Sequence, residues 1–561
     1  MCTIWFQRIH GKKVIDLMRE QKKAVKRKAS DVLDSPRLSA KQTRIDEVPE
    51  IRWHVTSKKA EQLIAEFVVR DMQPLSIVEG QGFRDMIEGI NPKVKVICTE
   101  TLKNKLKSMF DAMACNLKKA LHDCQFLCTT ANIWTHHARS YIGVTCHWLS
   151  KSDYSRNSAA LAFRRFRGTH SYDKIGSTLI SSHTEFDLDC SKLLHVVTDN
   201  GSNFVKAFKE FAAESSILES EPSENKDGNA CDIEDEISHL QISKFFGHTE
   251  SEEFSGIYLP PHLPCFSHTL NLLVSADANK ALANDASFKR MYRSIAGKCS
   301  SLSNAAHQSS KAAEAVLDIL GRTIPKPNST RWNSEFDSYS TIYNMKDKIN
   351  NVMERLQLPK FSNQDFTFLG EWLEVMKPIA QALDKLQGEN TPEAYFGSIL
   401  PTLHAIQRRL SSVSSTYTAS LITALQSGMQ KRFGDILKFE DMGVNLKIKA
   451  FVIASVSHPY FKVRWLPLMH RRMAEELFVG EIMRLNETNS HTANLATASS
   501  GDFYGFYEPD SESDDCSLKV EVVHYLNDSS HDMNQLNRYI LFRFDKECLM
   551  FKNLQLCHIK L

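Results

Sequence analysis

The sequence predicts a mixed α/β unit followed by an all-α block, with a small helical domain ahead of both. Three observations carry that prediction. Between Phe126 and Thr198 the apolar residues come in short runs of strand length, and from Pro264 to about Leu485 they recur at helical spacing. Ahead of the first strand, Leu63, Ile64, Phe67 and Val68 form a separate helical pattern. With 561 residues, 42% of them hydrophobic, the chain has apolar material for more than one core.

Taken in order, residues 1–55 contain the dense basic run Lys22, Lys23, Lys26, Arg27 and Lys28, then a Ser/Pro/Asp-rich stretch without apolar period, and are expected to be largely disordered. Residues 56–122 form the small helical domain. Its first helix is stopped by Gln73-Pro74-Leu75, its second lies around Phe83, Met86 and Ile87, and its third runs from about Thr101 to His122. Residues 123–213 carry four strand-like runs: Phe126 to Thr130, Tyr141 to Leu149, Ala159 to Phe166 and Leu193 to Thr198. A helical stretch near Ser171 to Ser181 precedes the last run and another, Asn203 to Phe211, follows it, as a mixed sheet with crossovers requires.

The stretch 214–256 is acidic and Ser-rich, with Glu219, Glu221, Glu224, Asp232, Glu234, Asp235 and Glu236, and reads as a disordered insert. Residues 257–485 read as successive amphipathic helices, 486–535 as a linker, and 536–561 as a short C-terminal segment.

Lys plus Arg (69) nearly balance Asp plus Glu (67), so any polyanion-binding surface has to be local. Thirteen cysteines without a CxxC pair fit reduced thiols better than a secreted disulfide framework. No signal-peptide core follows Met1, and no window approaches the roughly 18 uninterrupted apolar residues of a membrane helix. A soluble intracellular protein is expected, with no membrane partner.

Two strand ends carry the candidate chemistry. Thr130-Ala-Asn-Ile-Trp-Thr135 puts Asn132 where metal-dependent strand cleavage needs a carboxylate, and Thr198-Asp199-Asn200-Gly201 keeps its acid. Cleavage with two cations calls for several converging carboxylates, because each divalent ion takes hard oxygen ligands. Asp199 has a second reading, as the cap or Asx turn ahead of the helix at Asn203. Cys265 and His268 lie three apart at a helix start, a spacing that serves either a shared zinc ion or a packed core pair. Arg331 and Trp332, in a loop after Pro325 and Pro327, suit phosphate contact and stacking on an unpaired base, or else anchoring of the loop. The Lys22 to Lys28 run reads as a nuclear address or a solvated arm.

In this order, Asp71-Met-Gln-Pro-Leu-Ser-Ile-Val-Glu79 with Gly82-Phe83-Arg84, Thr130 to Trp148, Val197 to Asn203, Leu263 to Leu273, Ser329 to Asn333 and Leu536-Asn-Arg-Tyr539 resemble the hAT transposase superfamily, and within it the zinc finger BED domain-containing proteins. The resemblance implies a ribonuclease H-like mixed sheet interrupted by a large α-helical insertion. It puts Asn132 at the position of a catalytic Asp, Asp199 at the second metal ligand, His268 at the active-site edge within a Cys-x-x-His motif, and Arg331 and Trp332 on the motif that holds a flipped base. It also implies a third carboxylate in a dimerisation segment and an N-terminal finger. The residues after Tyr539 do not carry the former, and residues 1–60 offer only Cys2, His10 and His54 for the latter.

The expectation is therefore a domesticated, catalytically inactive transposase: a nuclear, DNA-associated or transcription-regulating protein whose partners are DNA and other nuclear proteins. No cofactor and no resident metal are expected, and self-association is left open. Two alternatives stand beside it. One is an active transposase using Mg2+ or Mn2+, with an acid such as Asp123 or Glu335 replacing the lost ligand; the other is a truncated product of a longer BED-finger protein.

Overall fold

The computed structural model describes residues 56–92, 94–150, 155–199, 201–211, 259–327, 333–387, 395–494 and 512–539. The basic run Lys22, Lys23, Lys26, Arg27 and Lys28, the acidic stretch 214–256, and Arg331 and Trp332 lie outside the described residues.

Helices α1 (Ser57–Arg70), α2 (Gln81–Ile90) and α3 (Thr99–His122) lead into the sheet. Thr56 opens α1 by accepting the Lys59 N–H on its side-chain oxygen, and Pro74 starts the 3-10 turn Leu75–Glu79 between α1 and α2. Ile64, Ala65, Val68, Val78, Ile97 and Leu102 close a small core of their own, as the helical spacing in the sequence anticipates.

The sheet has five strands: β1 (Leu127–His136), β2 (Arg139–Leu149), β3 (Arg156–Phe166), β4 (Leu193–Thr198) and β5 (His262–Pro264), in the order β3-β2-β1-β4-β5. β2 is antiparallel to β1 and β3, whereas β4 runs parallel to β1 and β5. Connection length sets this pattern. A two-residue hairpin, His137-Ala138, joins β1 to β2, while β3 reaches β4 through α4 (Tyr172–Glu185). Both hairpin residues have positive φ, 46° and 57°, the geometry that matches strand twist in a tight turn.

β1 is longer than the apolar run Phe126 to Thr130 predicts. Beyond Thr130 its alternation is polar or aromatic against apolar, with Asn132 and Trp134 on one face and Ile133 on the other, so a count of apolar residues alone stops short. β5 was not anticipated, since three residues after Pro260-Pro261 are too short to show a period.

The two sheet faces go to different cores. On the back face Leu127, Ala131, Ile142, Val144, Cys146 and Val196 pack with Leu121 of α3, Ile175 and Leu179 of α4, and Phe204 and Phe208 of α5 (Ser202–Phe211). On the front face Leu149 and Val197 join Leu263, Cys265 and Phe266 in a larger core built by the helices that follow β5.

Those helices begin with α6 (Phe266–Leu272), which passes through a π turn, Leu273–Asp277, into α7 (Ala278–Asn284). They continue as α8 (Ala286–Gln308), α9 (Ser310–Leu320), α10 (Ser334–Asn344), α11 (Lys346–Arg355), α12 (Asn363–Gln387), α13 (Ile399–Ser412), α14 (Ala419–Leu437), α15 (Leu446–Val456) and α16 (Leu468–Asn494). Within the stretch expected to be linker, α16 runs on to Asn494, and α17 (Glu512–Asn527) and a 3-10 turn (Met533–Arg538) follow. Val522 and Tyr525, three apart on one face of α17, enter the large core, and the Tyr525 hydroxyl donates to the Ser457 carbonyl at 2.8 Å. That short amphipathic pattern is masked in the sequence by its Ser/Asp-rich flanks. No helix among the described residues is long and apolar enough to cross a membrane.

Candidate nucleic-acid site at the ends of the central strands

The β1–β4 register ends at Ala131 opposite Thr198, so Asn132 and Asp199 are each the next residue beyond the last parallel pair. Although the apolar run suggests a strand end at Asn132, β1 continues to His136, and Asn132 lies mid-strand opposite Gly143 of β2, while β4 ends one residue before Asp199. Below them Thr130 and Thr145, paired across β1 and β2, share a hydroxyl hydrogen bond of 2.5 Å, and Thr145 Oγ1 lies 2.8 Å from His147 Nε2. These three side chains are buried, so the polar ladder stiffens the strands under the site.

His268 arrives from the adjoining element. The Cys265 N–H donates to the Thr198 carbonyl at 2.8 Å, pinning the start of α6 against the end of β4, and His268 lies in the first turn of that helix. Cys265 itself is buried in the large core beside Leu263 and Phe266, whereas His268 is half-buried and interacts electrostatically with Asp199. The three-residue spacing therefore places one side chain in the core and the other at the site.

Asp199 Oδ1 also accepts the Gly201 N–H at 3.2 Å, so it makes the local Asx turn ahead of α5. Burial pushes its carboxyl above the usual range, against the opposing effects of His268 and the Gly201 N–H. The His268 imidazole is pushed down, chiefly by burial and further by the positive charge of Arg432, with Asp199 pulling the other way.

Arg432 on α14 is a further participant, one that no local pattern in the sequence marks. Its Nε lies 2.5 Å from Oδ2 of Asp277 at the end of the π turn, both side chains being almost fully buried, and Lys280 Nζ sits 2.5 Å from Oδ1 of the same carboxylate. π turns inside helices often accompany functional sites, and this one turns an acid toward a partner 155 residues away in sequence.

This donor set fits a pair of divalent cations poorly. It holds a single carboxylate, whose charge burial disfavours, a neutral amide at Asn132, and a fixed guanidinium close enough to depress His268. Among the described residues no three His, Cys, Asp or Glu side chains stand together as a metal-holding group. Glu335 is engaged elsewhere, accepting the Tyr292 hydroxyl at 2.8 Å, and Asp123 ends α3 as an exposed residue beside His122. Asn333, which follows Trp332 in the sequence, donates through Nδ2 to the Ala380 carbonyl and to Asp384, each at 2.8 Å.

A mixed sheet with an acid just beyond the end of a parallel strand is compatible with an RNase-like domain, and the comparisons point to the same class. Residues 130–222 match the ZBED1 RNase-like domain family, and residues 51–91 match the Hermes transposase DNA-binding domain family. The human (Homo sapiens) zinc finger BED domain-containing protein 4 is 21% identical over 459 residues, covering 78% of this chain and 34% of the relative. The chain thus spans about a third of that relative's length. It is similar to hAT-type, transposase-derived proteins of the BED group. The second family match takes in Asp71 to Glu79 and the α1–α2 module, a region to which the sequence pattern alone attached no role.

Proposed function

We propose that this chain is a domesticated hAT-type transposase that binds DNA in the nucleus, takes part in transcriptional control and does not cleave strands. The observation that carries the reading is that Asn132 and Asp199 each follow directly on the last pair between the parallel strands β1 and β4. In a two-cation site these neighbouring strands would each offer a carboxylate, and here one of them offers an amide. The DNA-binding domain family matched by residues 51–91 supports DNA as the partner. In this reading the helices after β5 are an insertion into a ribonuclease H-like core, the protein needs no cofactor, and the basic run at Lys22 to Lys28 is the nuclear address.

The decisive test incubates purified protein with nicked and hairpin-ended DNA in Mg2+ or Mn2+, beside Asp199→Ala and Asn132→Asp. The proposal expects no cleavage by the wild type. Metal-dependent cleavage that Asp199→Ala abolishes would overturn it. One observation favours that second reading: Asp199 is kept as an acid at a position where burial disfavours its charge.

A further inference from the structure

The front face of the sheet carries a feature that the Asn132–Asp199 pair does not explain. The registers of β1, β2 and β3 set its side chains in rows. Phe163, Gly143 and Asn132 form one row, Arg165, Tyr141 and Trp134 the next, and Arg139 with His136 stands outermost at the hairpin. In the middle of this grid Trp134, Tyr141 and Phe163 form a closed aromatic triangle. Trp134 and Tyr141 are stacked at 5.9 Å between ring centroids, Trp134 and Phe163 are 5.3 Å apart, and Tyr141 and Phe163 5.5 Å apart. Trp134 and Phe163 sit on strands that are not neighbours and reach each other diagonally across β2, where Gly143 is the register partner of Phe163 and Tyr141 that of Trp134.

All three rings are half-buried, yet none belongs to either core that packs on the sheet. They bury one another instead. Such a cluster at the end of a sheet keeps part of its ring surface accessible.

The edge of the triangle is basic. Arg139, Arg165 and Arg167 line a cavity of about 420 Å³ together with Ala138, Ser140 and Gly168. The three arginines are exposed, and none pairs with a carboxylate among the described residues. Their neighbour Arg164, which points to the other face, does pair, with Glu185. Free guanidinium groups beside stacked rings are the two halves of a surface for an unpaired polynucleotide: charge for the phosphates and π-faces for the bases. From the Arg139 row to the Asn132 row the strand spans four residues, about 13 Å at ~3.3 Å each, enough for the backbone to pass from the arginines across the rings to the Asn132–Asp199 end.

We propose that this face, Trp134, Tyr141 and Phe163 with Arg139, Arg165 and Arg167, binds single-stranded DNA. The inference rests on the reading of the chain as a DNA-binding protein and adds the strand state and the surface.

The test is fluorescence anisotropy of the full chain with a labelled twelve-nucleotide oligothymidylate, the duplex of the same length and the matching oligouridylate, across a salt series. Arg139→Ser/Arg165→Ser/Arg167→Ser changes only exposed side chains. It should weaken single-strand binding and reduce the slope of log affinity against log salt by about 2, at ~0.7 per phosphate contact. Trp134→Leu should weaken binding about ten-fold with the slope unchanged, whereas Trp134→Phe, which keeps a π-face, should retain most of it. Equal binding by the Leu and Phe variants, or a triple variant indistinguishable from wild type, would overturn the proposal. So would tighter binding of oligouridylate. Binding of the duplex but not the single strand removes this surface and leaves the DNA-binding reading standing; binding of neither removes both.

Discussion

Asp277 and Arg432 form an ion pair in the interior, Nε to Oδ2 at 2.5 Å, and the guanidinium that completes it is the one that depresses His268. Burial alone would raise the Asp277 carboxyl, but Arg432 and Lys280 outweigh it and hold it below the usual range. Arg432→Ala leaves the buried Asp277 carboxylate with the half-exposed Lys280 alone, so it should destabilise the protein by about 3 kcal/mol, the lower end for breaking a buried pair. Asp277→Leu with Arg432→Met should cost far less than the sum of the single changes. Urea midpoints of the four proteins measure this, and additive losses would refute it. Because the depressed carboxyl contributes stability above its unfolded pKa, that contribution should disappear as pH falls through the acid range.

Asp199 has the opposite sign. Its carboxyl is raised, so the fold favours the protonated form, and stability is lost as pH rises through the folded-state value. Asn at this position keeps an oxygen to accept the Gly201 N–H. Asp199→Asn should therefore be more stable than wild type at pH 7, with the gain vanishing near pH 3. A variant less stable at pH 7 would show that the ionised carboxylate is structurally required.

Part of this site is legible in the sequence. Apolar runs leading to Asn132 and Asp199 mark the two strands, and the helix opening at Cys265 marks His268, because each signal lies within a few consecutive residues; that β1 continues past Asn132 to His136 is not, since its polar and aromatic alternation carries no apolar run. The Arg432–Asp277 pair was not legible, since its partners are 155 residues apart and ordinary charged residues give no local sign of pairing. The arginines at 139, 165 and 167 look scattered along the chain until strand register gathers them around one hairpin. β5 and α17 were missed for a related reason: a three-residue strand has no measurable period, and a single apolar face is diluted by polar flanks.

Two buried histidines tie the sheet to its surroundings on the back face. His183 of α4 meets Thr129 Oγ1 at 3.2 Å, and His262 of β5 meets Thr198 Oγ1 at 2.8 Å while stacking on Phe208 at 4.5 Å. Burial depresses His183 to about 4 and His262 to about 3, so both stay neutral in the folded protein. Stability is fully present above the unfolded value near 6.5 and should fall as the medium is acidified toward those values, by roughly 3–5 kcal/mol per residue. His183→Gln should flatten the loss between pH 6.5 and 4 in chemical denaturation. An unchanged slope would count against this assignment.

The hairpin supplies a simpler check. Ala138 has φ 57°, a left-handed conformation that costs an L-residue about 1 kcal/mol and glycine almost nothing. Ala138→Gly should raise stability by roughly that amount without moving the Arg139 cavity. A neutral or destabilising result would show that the side chain is held by contacts that offset the strain.

Helix α3 has a consequence of scale. Its first half, through Leu102, Leu106 and Met109, is part of the N-terminal module, and its second half, through Ala114, Leu117 and Leu121, is part of the sheet's back layer. A single rod of 24 residues, about 36 Å long, therefore welds the two. The module works as the jaw of a caliper rather than a weight on a string: its spacing from the strands is a dimension of the protein. A residue inserted midway along the rod would swing that jaw by about 100° about the rod's axis, leaving each half intact and their alignment lost.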